Sequence, residues 1–317
     1  MLFLVPLSWL FCLIVYLRRK LYRSGFLKSV RFPVTVIIVG NITVGGSGKT
    51  PLVIALTNWL VEQGYRPGIV SRGYGGVASH WPQQVRDDSD PKVVGDEPVL
   101  IARHTNAPMA VGPDRVAATQ QLLKHHDCDV ILADDGLQHY ALQRDIEIAV
   151  LDGVRRLGNG YCLPAGPLRE KEKRLAEVDY VVTNGLAMQK EYAMNLKATE
   201  FINLRTAQSI PLETFRNQSC HVIAGIGHPQ RFFQYLESLS VHVEAHEFND
   251  HYQYQLQDLE FNDEFPVLMT EKDAVKCKPF ATDNMWYVPV KAHLDERFLQ
   301  NLQSRLKQLA TSTIDSA

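Results

Sequence analysis

The sequence predicts an α/β fold in which a larger domain with a parallel sheet precedes a smaller α/β domain. From residue 34, β-branched apolar runs alternate with helical segments, which is typical of a parallel sheet covered by helices. The alternation restarts after residue 205, which indicates the second domain. An uncharged apolar run at residues 1–17 predicts a membrane-associated N-terminal helix. The chain is therefore divided into residues 1–28, 29–205 and 206–317.

Length and composition agree with two globular domains. The chain has 317 residues, of which 45% are hydrophobic and 21% charged, so it is long and apolar enough to form two cores. The formal net charge of −2 gives no polyanion-binding signature, and we expect no nucleic-acid partner. Because no C-x-x-C pair occurs, we expect reduced thiols, with neither a disulfide framework nor a zinc site. The five cysteines are Cys12, Cys128, Cys162, Cys220 and Cys277.

The N-terminal run is followed, rather than preceded, by positive charge. A signal peptide would carry its charges before the apolar run, so an anchor is the better interpretation. Residues 18 onward then lie in the cytoplasm, and the basic segment faces anionic lipid headgroups. Seventeen residues are few for a span and Pro6 favours shallow insertion, so both a spanning and a surface helix stay open. Residues 1–50 contain no acidic residue and these basic ones: Arg18, Arg19, Lys20, Arg23, Lys28, Arg31 and Lys49.

Each further element follows from a local pattern. A strand is predicted at 34–40, then a glycine-rich turn and a helix at about 50–64. Strands are predicted within 66–76, 107–112, 128–136, 145–153 and 178–185, and helices within 95–105 and 113–126. In the second domain, strands are predicted within 221–227, 241–248, 266–273 and 285–290, and helices within 231–239 and 294–309.

The strongest chemical signal is TVGGSGKT, which lies between a strand and a helix. Backbone N–H groups of such a loop surround phosphate oxygens, the lysine reaches the β- and γ-phosphates, and the threonine hydroxyl ligates Mg²⁺. Thr43 stands where the general pattern has glycine, so the match is imperfect. The sequence predicts a P-loop NTPase-like domain that binds ATP and Mg²⁺ through Thr43, Val44, Gly45, Gly46, Ser47, Gly48, Lys49 and Thr50.

A second signal is VILADDGLQH, an apolar strand that ends in two carboxylates. A P-loop protein holds its Mg²⁺ at such a place, so Asp134 and Asp135 are candidate ligands. The alternative is that one of the pair only caps a turn.

Weaker signals leave their alternatives open. Asp96 in GDEP fits simple N-capping of a helix. Arg169 in LPAGPLRE could stabilise a transferring phosphoryl group or be an ordinary surface residue. His251 in NDHY is, by itself, as expected of a structural histidine.

Two rivals to a phosphotransferase remain at this point. A P-loop GTPase would need N-K-x-D, but TEKD places Lys272 directly beside Asp273. A non-catalytic nucleotide sensor would bind ATP without turnover and gives no reason for Asp96 or Arg169.

Seven segments in order resemble the tetraacyldisaccharide 4′-kinase family of lipid A biosynthesis. They are TVGGSGKTP, SRGYGG, GDEP, DDGLQH, LPAGPLRE, AGIGHPQRFF and TEKDAVK, between about residues 35 and 276. The resemblance implies transfer of the γ-phosphate of ATP to the 4′-hydroxyl of a tetraacylated disaccharide 1-phosphate, forming lipid IVA. It further implies an enzyme on the cytoplasmic face of the inner membrane of a Gram-negative bacterium, with a lipid substrate and no obligate protein partner.

The resemblance also assigns roles to the weak candidates. Asp96 matches the family's proposed catalytic aspartate, and His251 matches the histidine thought to pair with it. Arg169 and Glu170 match positions near the phosphates and the metal, and Asp134 with Asp135 matches the Mg²⁺-associated pair. The family often has Asp-His-His where this chain reads Asn249-Asp250-His251-Tyr252, so the match at His251 is looser.

Overall fold

The computed structural model describes the backbone of residues 2–314 and the side chains of residues 3–311. Its helices are α1 (Val5–Arg23), α2 (Lys49–Glu62), α3 (Pro91–Val94), α4 (Asp96–His104), α5 (Arg115–His125), α6 (Pro229–Ser238), α7 (Glu271–Cys277) and α8 (Glu296–Ile314). Its strands are β1 (Thr35–Gly40), β2 (Pro67–Ser71), β3 (Gln83–Val85), β4 (Met109–Val111), β5 (Val130–Asp134), β6 (Ile146–Asp152), β7 (Tyr180–Asn184), β8 (Tyr192–Ala198), β9 (Glu200–Asn203), β10 (Ser209–Pro211), β11 (Ser219–Ala224), β12 (His242–Glu247), β13 (Val267–Thr270), β14 (Met285–Val288) and β15 (Val290–Leu294).

The larger sheet has nine strands in the order β15-β8-β7-β6-β1-β5-β2-β4-β3. Its seven inner strands run parallel, and β3 and β15 are antiparallel to their neighbours at the two edges. Separate apolar clusters cover its two faces, one of them containing residues of α2 and α4 and the other residues of α5. The predicted parallel sheet with helices on both faces is confirmed.

The smaller sheet has six strands in the order β10-β9-β14-β13-β11-β12. Strands β12, β11, β13 and β14 are parallel, whereas β9 and β10 are antiparallel. The chain then returns to the larger sheet, because β15 pairs with β8 and Phe298 of α8 is fully buried in the first core. β15 and the apolar side chains of α8 up to Leu309 therefore pack with the larger sheet, although they follow the predicted domain boundary at residue 205.

The N-terminal helix is present as α1, which packs on the larger domain. Its Ser8 is buried and donates a hydrogen bond of 2.7 Å to the carbonyl oxygen of Cys162. Arg19 and Arg23 of the basic segment form ion pairs with Glu177. Among the described residues, no helix combines the length and the apolar character that crossing a bilayer requires.

One cysteine expectation is wrong. Cys12 of α1 and Cys162 are joined by a disulfide, although 150 residues separate them in sequence. The packing of α1 against the segment around Cys162 brings the two Cα atoms to 6.5 Å, and sequence spacing carries no sign of that contact. The other three, Cys128, Cys220 and Cys277, are buried free thiols as expected.

Candidate active site

The glycine-rich loop at residues 43–50 joins β1 to α2, as predicted. Gly48 has φ of 94°, a left-handed conformation that suits glycine, and α2 begins at Lys49. A side-chain hydrogen bond stabilises the loop, because the Asn41 side-chain amide donates to the Ser47 hydroxyl at 3.1 Å. A helix N-terminus that follows such a loop presents backbone N–H groups and a positive dipole end to an anion. The loop therefore fits the phosphates of a nucleotide.

The segment that contains LPAGPLRE runs alongside this loop. The backbone N–H of Val44 donates to the carbonyl oxygen of Pro167 at 2.8 Å, and that of Arg169 donates to Ile42 at 2.7 Å. These bonds fix the Arg169 side chain beside the loop. Arg155 lies in the turn after β6, and its guanidinium donates to the carbonyl oxygen of Gly46 at 3.3 Å. Two arginines, one predicted and one missed, thus flank the phosphate loop.

Asp135 lies between the predicted cations. Its carboxylate accepts hydrogen bonds of 2.9 and 3.0 Å from Arg169 and lies 3.7 Å from the Lys49 ammonium. Burial favours a raised pKa for Asp135, but Lys49, Arg169 and Arg115 outweigh burial and hold the pKa below its ordinary value. Lys49, Asp135 and Arg169 therefore lie together beside the phosphate loop. The Asp135 carboxylate is ionised at neutral pH.

Asp134 is the last residue of β5, and it is fully enclosed. The Ser71 hydroxyl donates to its Oδ2 at 3.0 Å, whereas no residue in the described part of the chain donates to its buried Oδ1. Burial, followed by the negative charges of Glu97 and Asp135, raises the pKa of Asp134 to about 7. An oxygen of this kind, without a donor and next to the phosphate loop, suits a hard divalent cation such as Mg²⁺.

Glu170 lies with a different set of partners. Its two oxygens accept hydrogen bonds from the Gln138 amide at 2.7 Å and the Tyr140 hydroxyl at 2.6 Å. Arg174 is 3.6 Å away, and Gln138 also donates to the carbonyl oxygen of Asn41 below the loop. In this arrangement Glu170 supports the base of the loop. The metal role predicted for it stays a prediction.

Asp96 and His251 come together from opposite halves of the chain. Asp96 opens α4 and His251 follows β12, yet His251 Nδ1 lies 3.0 and 3.1 Å from the two Asp96 oxygens. The Tyr74 ring, from the SRGYGG turn, packs on the His251 ring with centroids 4.8 Å apart. Asp96 also accepts a hydrogen bond from the Glu97 backbone N–H, but the N-cap of α4 is Gly95 and no side chain caps this helix, so the capping interpretation of Asp96 is wrong.

Two lysines of α7, Lys272 and Lys276, complete this cluster, and sequence reasoning did not assign them a role. The Lys272 ammonium lies 3.0 Å from both Glu97 and Asp250, and 3.4 Å from His251 Nε2. Lys276 lies 3.9 Å from Asp96. Their spacing of four within TEKDAVK places both on one helix face, which was the available signal.

These neighbours set the charge state of Asp96. Burial favours a raised pKa, but the hydrogen bond with His251 and the charges of Lys272, His251 and Lys276 lower the pKa of Asp96 below its ordinary value. Burial also opposes the charge of Lys272, yet Glu97, Asp96 and Asp250 raise its pKa. The cluster therefore holds an ionised carboxylate among fixed cations.

The second half of the chain also closes over the phosphate loop. A Cβ placed on Gly227 would lie 2.9 Å from the backbone nitrogen of Gly46, so only glycine permits this approach. Arg231 reaches back to Asp152 of the larger domain at 3.3 Å. Asp273 is buried and accepts from the Tyr254 hydroxyl and the Thr270 hydroxyl, which leaves it facing its own domain rather than a nucleotide base. The phosphate loop and the cluster of Asp96, His251, Lys272 and Lys276, which we call the Asp96 cluster, thus belong to one cleft.

The sequence matches known proteins along almost its whole length. The family model described as tetraacyldisaccharide-1-P 4′-kinase matches residues 1–307. Among curated relatives, the tetraacyldisaccharide 4′-kinase of Nitrosococcus oceani is 53% identical and that of Hahella chejuensis 47% identical. Each alignment covers 98% of this chain, with 92% and 94% of the respective relative.

A solved structure agrees. The crystal structure of LpxK from Aquifex aeolicus in complex with ATP superimposes with a TM-score of 0.81 at 30% identity, covering 96% of this chain and 99% of that one. This chain belongs to the tetraacyldisaccharide 4′-kinase family.

Proposed function

We infer that this chain transfers the γ-phosphate of ATP to the 4′-hydroxyl of a tetraacyldisaccharide 1-phosphate, forming lipid IVA in lipid A biosynthesis, and we propose how its residues divide the work. The observation that carries the proposal is the single cleft in which the phosphate loop and the Asp96–His251 pair meet. Phosphoryl transfer asks chiefly for positioning and neutralisation of charge, and this cleft offers both.

The phosphate side of the reaction belongs to the larger domain. Residues 43–50 would hold the triphosphate through backbone N–H groups, with Lys49 and Arg169 neutralising its charge. Thr50, Asp134 and Asp135 would hold Mg²⁺, and the free buried oxygen of Asp134 is what fits that ion. A bound ion would supply further neutralisation of the triphosphate charge. Asp135 additionally keeps Arg169 and Lys49 oriented toward the loop.

The acceptor side belongs to the Asp96 cluster. Asp96 would accept a hydrogen bond from the 4′-hydroxyl and take its proton as the phosphoryl group arrives, with His251 orienting the carboxylate. Because its pKa is lowered, Asp96 is a weak base. A weak base suffices here, since in a loose transition state the 4′-hydroxyl has lost little of its proton before the new bond to phosphorus forms. Lys272 would position His251 and Asp250 at the same edge.

The N-terminal helix explains how the enzyme meets a lipid. Large apolar side chains of α1 face outward, among them Trp9 at 65% exposure and Ile14 at 56%. Arg18 and Lys20 are exposed next to them. We propose that this face associates with the cytoplasmic surface of the inner membrane, where the acyl chains of the substrate reside. A bilayer-held substrate and an adsorbed enzyme then meet in two dimensions.

The test uses the full chain in detergent micelles with γ-labelled ATP, Mg²⁺ and tetraacyldisaccharide 1-phosphate. We expect label on the lipid with wild type. Lys49→Ala should lower kcat/KM by about 100-fold or more, because the ammonium that would neutralise the β- and γ-phosphates is removed. The matched control is Lys124→Ala, an exposed lysine on α5, which should transfer as wild type does. Absence of lipid label from folded wild type that binds ATP would overturn the proposed function.

A further inference from the structure

A cluster of histidines and carboxylates lies on the smaller sheet, outside the cleft. We call it the β11–β12 cluster, and it consists of His221, Glu244, His246 and Asp263. Strands β11 and β12 pair in parallel with His221 opposite Glu244. Glu244 and His246 are two residues apart, so they share that face of the sheet. Asp263 reaches the same place from the segment between β12 and β13.

Distances within the β11–β12 cluster are short. His221 Nδ1 lies 3.0 Å from His246 Nε2 and 3.3 Å from the Glu244 carboxylate. His221 Nε2 lies 3.0 Å from Asp263 Oδ1. The His221 ring is buried and stacks on Phe261, with centroids 3.7 Å apart and planes 16° from parallel. The ring plane is thereby fixed, and so are the directions of its two nitrogens.

Two imidazole nitrogens and one carboxylate converge at one point of this cluster. When His221 donates from Nε2 to Asp263, its Nδ1 lone pair faces His246 Nε2 and the Glu244 carboxylate. A single N–H of His246 satisfies this contact in the absence of an ion. A cation placed among His221 Nδ1, His246 Nε2 and Glu244 can take the place of that proton, because both nitrogens then offer lone pairs.

We propose that the β11–β12 cluster binds a divalent transition-metal ion, with Zn²⁺ as the best fit. Two imidazole nitrogens and one carboxylate are the donors that Zn²⁺ takes, whereas Mg²⁺ prefers oxygen alone. In a tetrahedral zinc site, ligand atoms are roughly 3.3 Å apart. The spacings of 3.0 and 3.3 Å around His221 Nδ1 already approach this edge length.

Asp263 has the position of a supporting residue. It faces the far nitrogen of His221, the place from which a carboxylate fixes the tautomer of a metal-binding histidine and raises its basicity. The Glu244 side chain is 48% exposed, so a water molecule from solvent can fill the fourth position. A bound ion would join β12, the edge strand of the smaller sheet, to its neighbour β11. The site is separate from the transfer reaction and does not depend on it.

The experiment titrates Zn²⁺ into the untagged full chain, stripped with chelator and kept in detergent with excess Mg²⁺ to occupy oxygen-only sites. Isothermal calorimetry should find one Zn²⁺ per wild-type chain, and Co²⁺ in its place should give the absorption bands of a tetrahedral ion. His246→Gln and Glu244→Gln should each weaken Zn²⁺ binding at least about 10-fold, and Asp263→Asn by about 10-fold through the supporting contact. These exposed or half-exposed positions tolerate substitution better than buried His221.

The matched control is His242→Gln, an exposed histidine of the same strand, which should bind Zn²⁺ as wild type does. Kinase activity with Mg²⁺ should be unchanged in His246→Gln, which separates this site from the proposed function. A wild-type chain that takes up no Zn²⁺, or a folded His246→Gln chain that binds it equally well, would overturn the proposal and leave a cluster held by its hydrogen bonds alone.

Discussion

Asp96 and Asp134 are buried carboxylates of one cleft whose surroundings move their pKa values in opposite directions. Around Asp96, His251 and the two lysines of α7 outweigh burial and lower the pKa. Around Asp134, burial and the charges of Glu97 and Asp135 raise the pKa to about 7. The first region therefore contains its own counter-charges. The region around Asp134 presents negative charge that an added cation would neutralise. This difference is the one expected between a carboxylate on the acceptor side and a metal ligand.

The largest expected effect comes from removing the charge on the acceptor side. Asp96→Asn keeps the shape of the side chain but cannot accept a proton, so kcat for lipid phosphorylation should fall by about 10²- to 10⁴-fold. ATP affinity should stay near wild type, because the phosphate loop is untouched. Steady-state kinetics, with the concentrations of ATP and of the lipid substrate both varied, separates the effect on kcat from the effect on ATP binding.

The control for Asp96→Asn is Asp88→Asn, a carboxylate that is 76% exposed and lies outside the cleft. It should leave both kcat and KM unchanged. A kcat within about threefold of wild type for Asp96→Asn would remove Asp96 from the proton-accepting role, since general-base catalysis contributes at least about 100-fold.

The two regions also differ in how far the sequence reveals them. The phosphate loop and Asp134 lie in short continuous motifs, each at the end of a strand, and a local pattern is enough to locate them. Asp96 and His251 are 155 residues apart, so their contact depends on how the two sheets pack. The resemblance to a family paired them, whereas the isolated motifs favoured capping and a structural histidine.

The fold shows the same limit. Buried parallel strands such as β1 and β5 are continuous apolar runs, and the sequence locates both. Strands β8 and β15 were missed, because as YAMNLKA and VKAHL they mix polar and apolar residues near a sheet edge. The short β3, β9 and β10 were missed as well. The Cys12–Cys162 pair required knowledge of where α1 packs, which no local pattern contains.

A smaller effect distinguishes the two carboxylates by stability. The pKa of Asp134 is raised from 3.8 to about 7, so its ionisation opposes folding, and this loss grows from about pH 4 to about pH 7. The difference corresponds to at most about 4 kcal/mol, and relaxation should reduce it to about 1–3 kcal/mol. In EDTA at pH 7.5, Asp134→Asn should therefore unfold at higher urea concentration than wild type.

Asp96→Asn serves as the opposite arm of that experiment. The pKa of Asp96 is lowered, so its charge stabilises the fold above the unfolded pKa, and the variant should unfold at lower urea concentration at the same pH. Added Mg²⁺ should stabilise wild type and Asp96→Asn but not Asp134→Asn. Shifts of the same sign for both variants would contradict the electrostatic contrast.

The smallest expected effect concerns the helix pair that supports the Asp96 cluster. Asp96 begins α4, and at the other end of this helix His104 contacts Glu271, the first residue of α7, with 2.6 Å between Nε2 and Oε1. The hydrogen bond with Glu271 raises the pKa of His104, against the opposing effect of burial. The stabilisation is therefore complete below the unfolded pKa of about 6.5 and is lost as pH rises through the higher folded pKa.

His104→Gln should remove this pH-dependent term. Because the His104 side chain is 36% exposed, solvent screening limits the effect to about 0.5 kcal/mol. The urea midpoint of wild type should exceed that of the variant at pH 6, and the difference should shrink by pH 8.5. Glu271→Gln should give the same profile, and combining both changes should add nothing further, since each removes the same contact. A difference that stays constant across this range would assign His104 a packing role only.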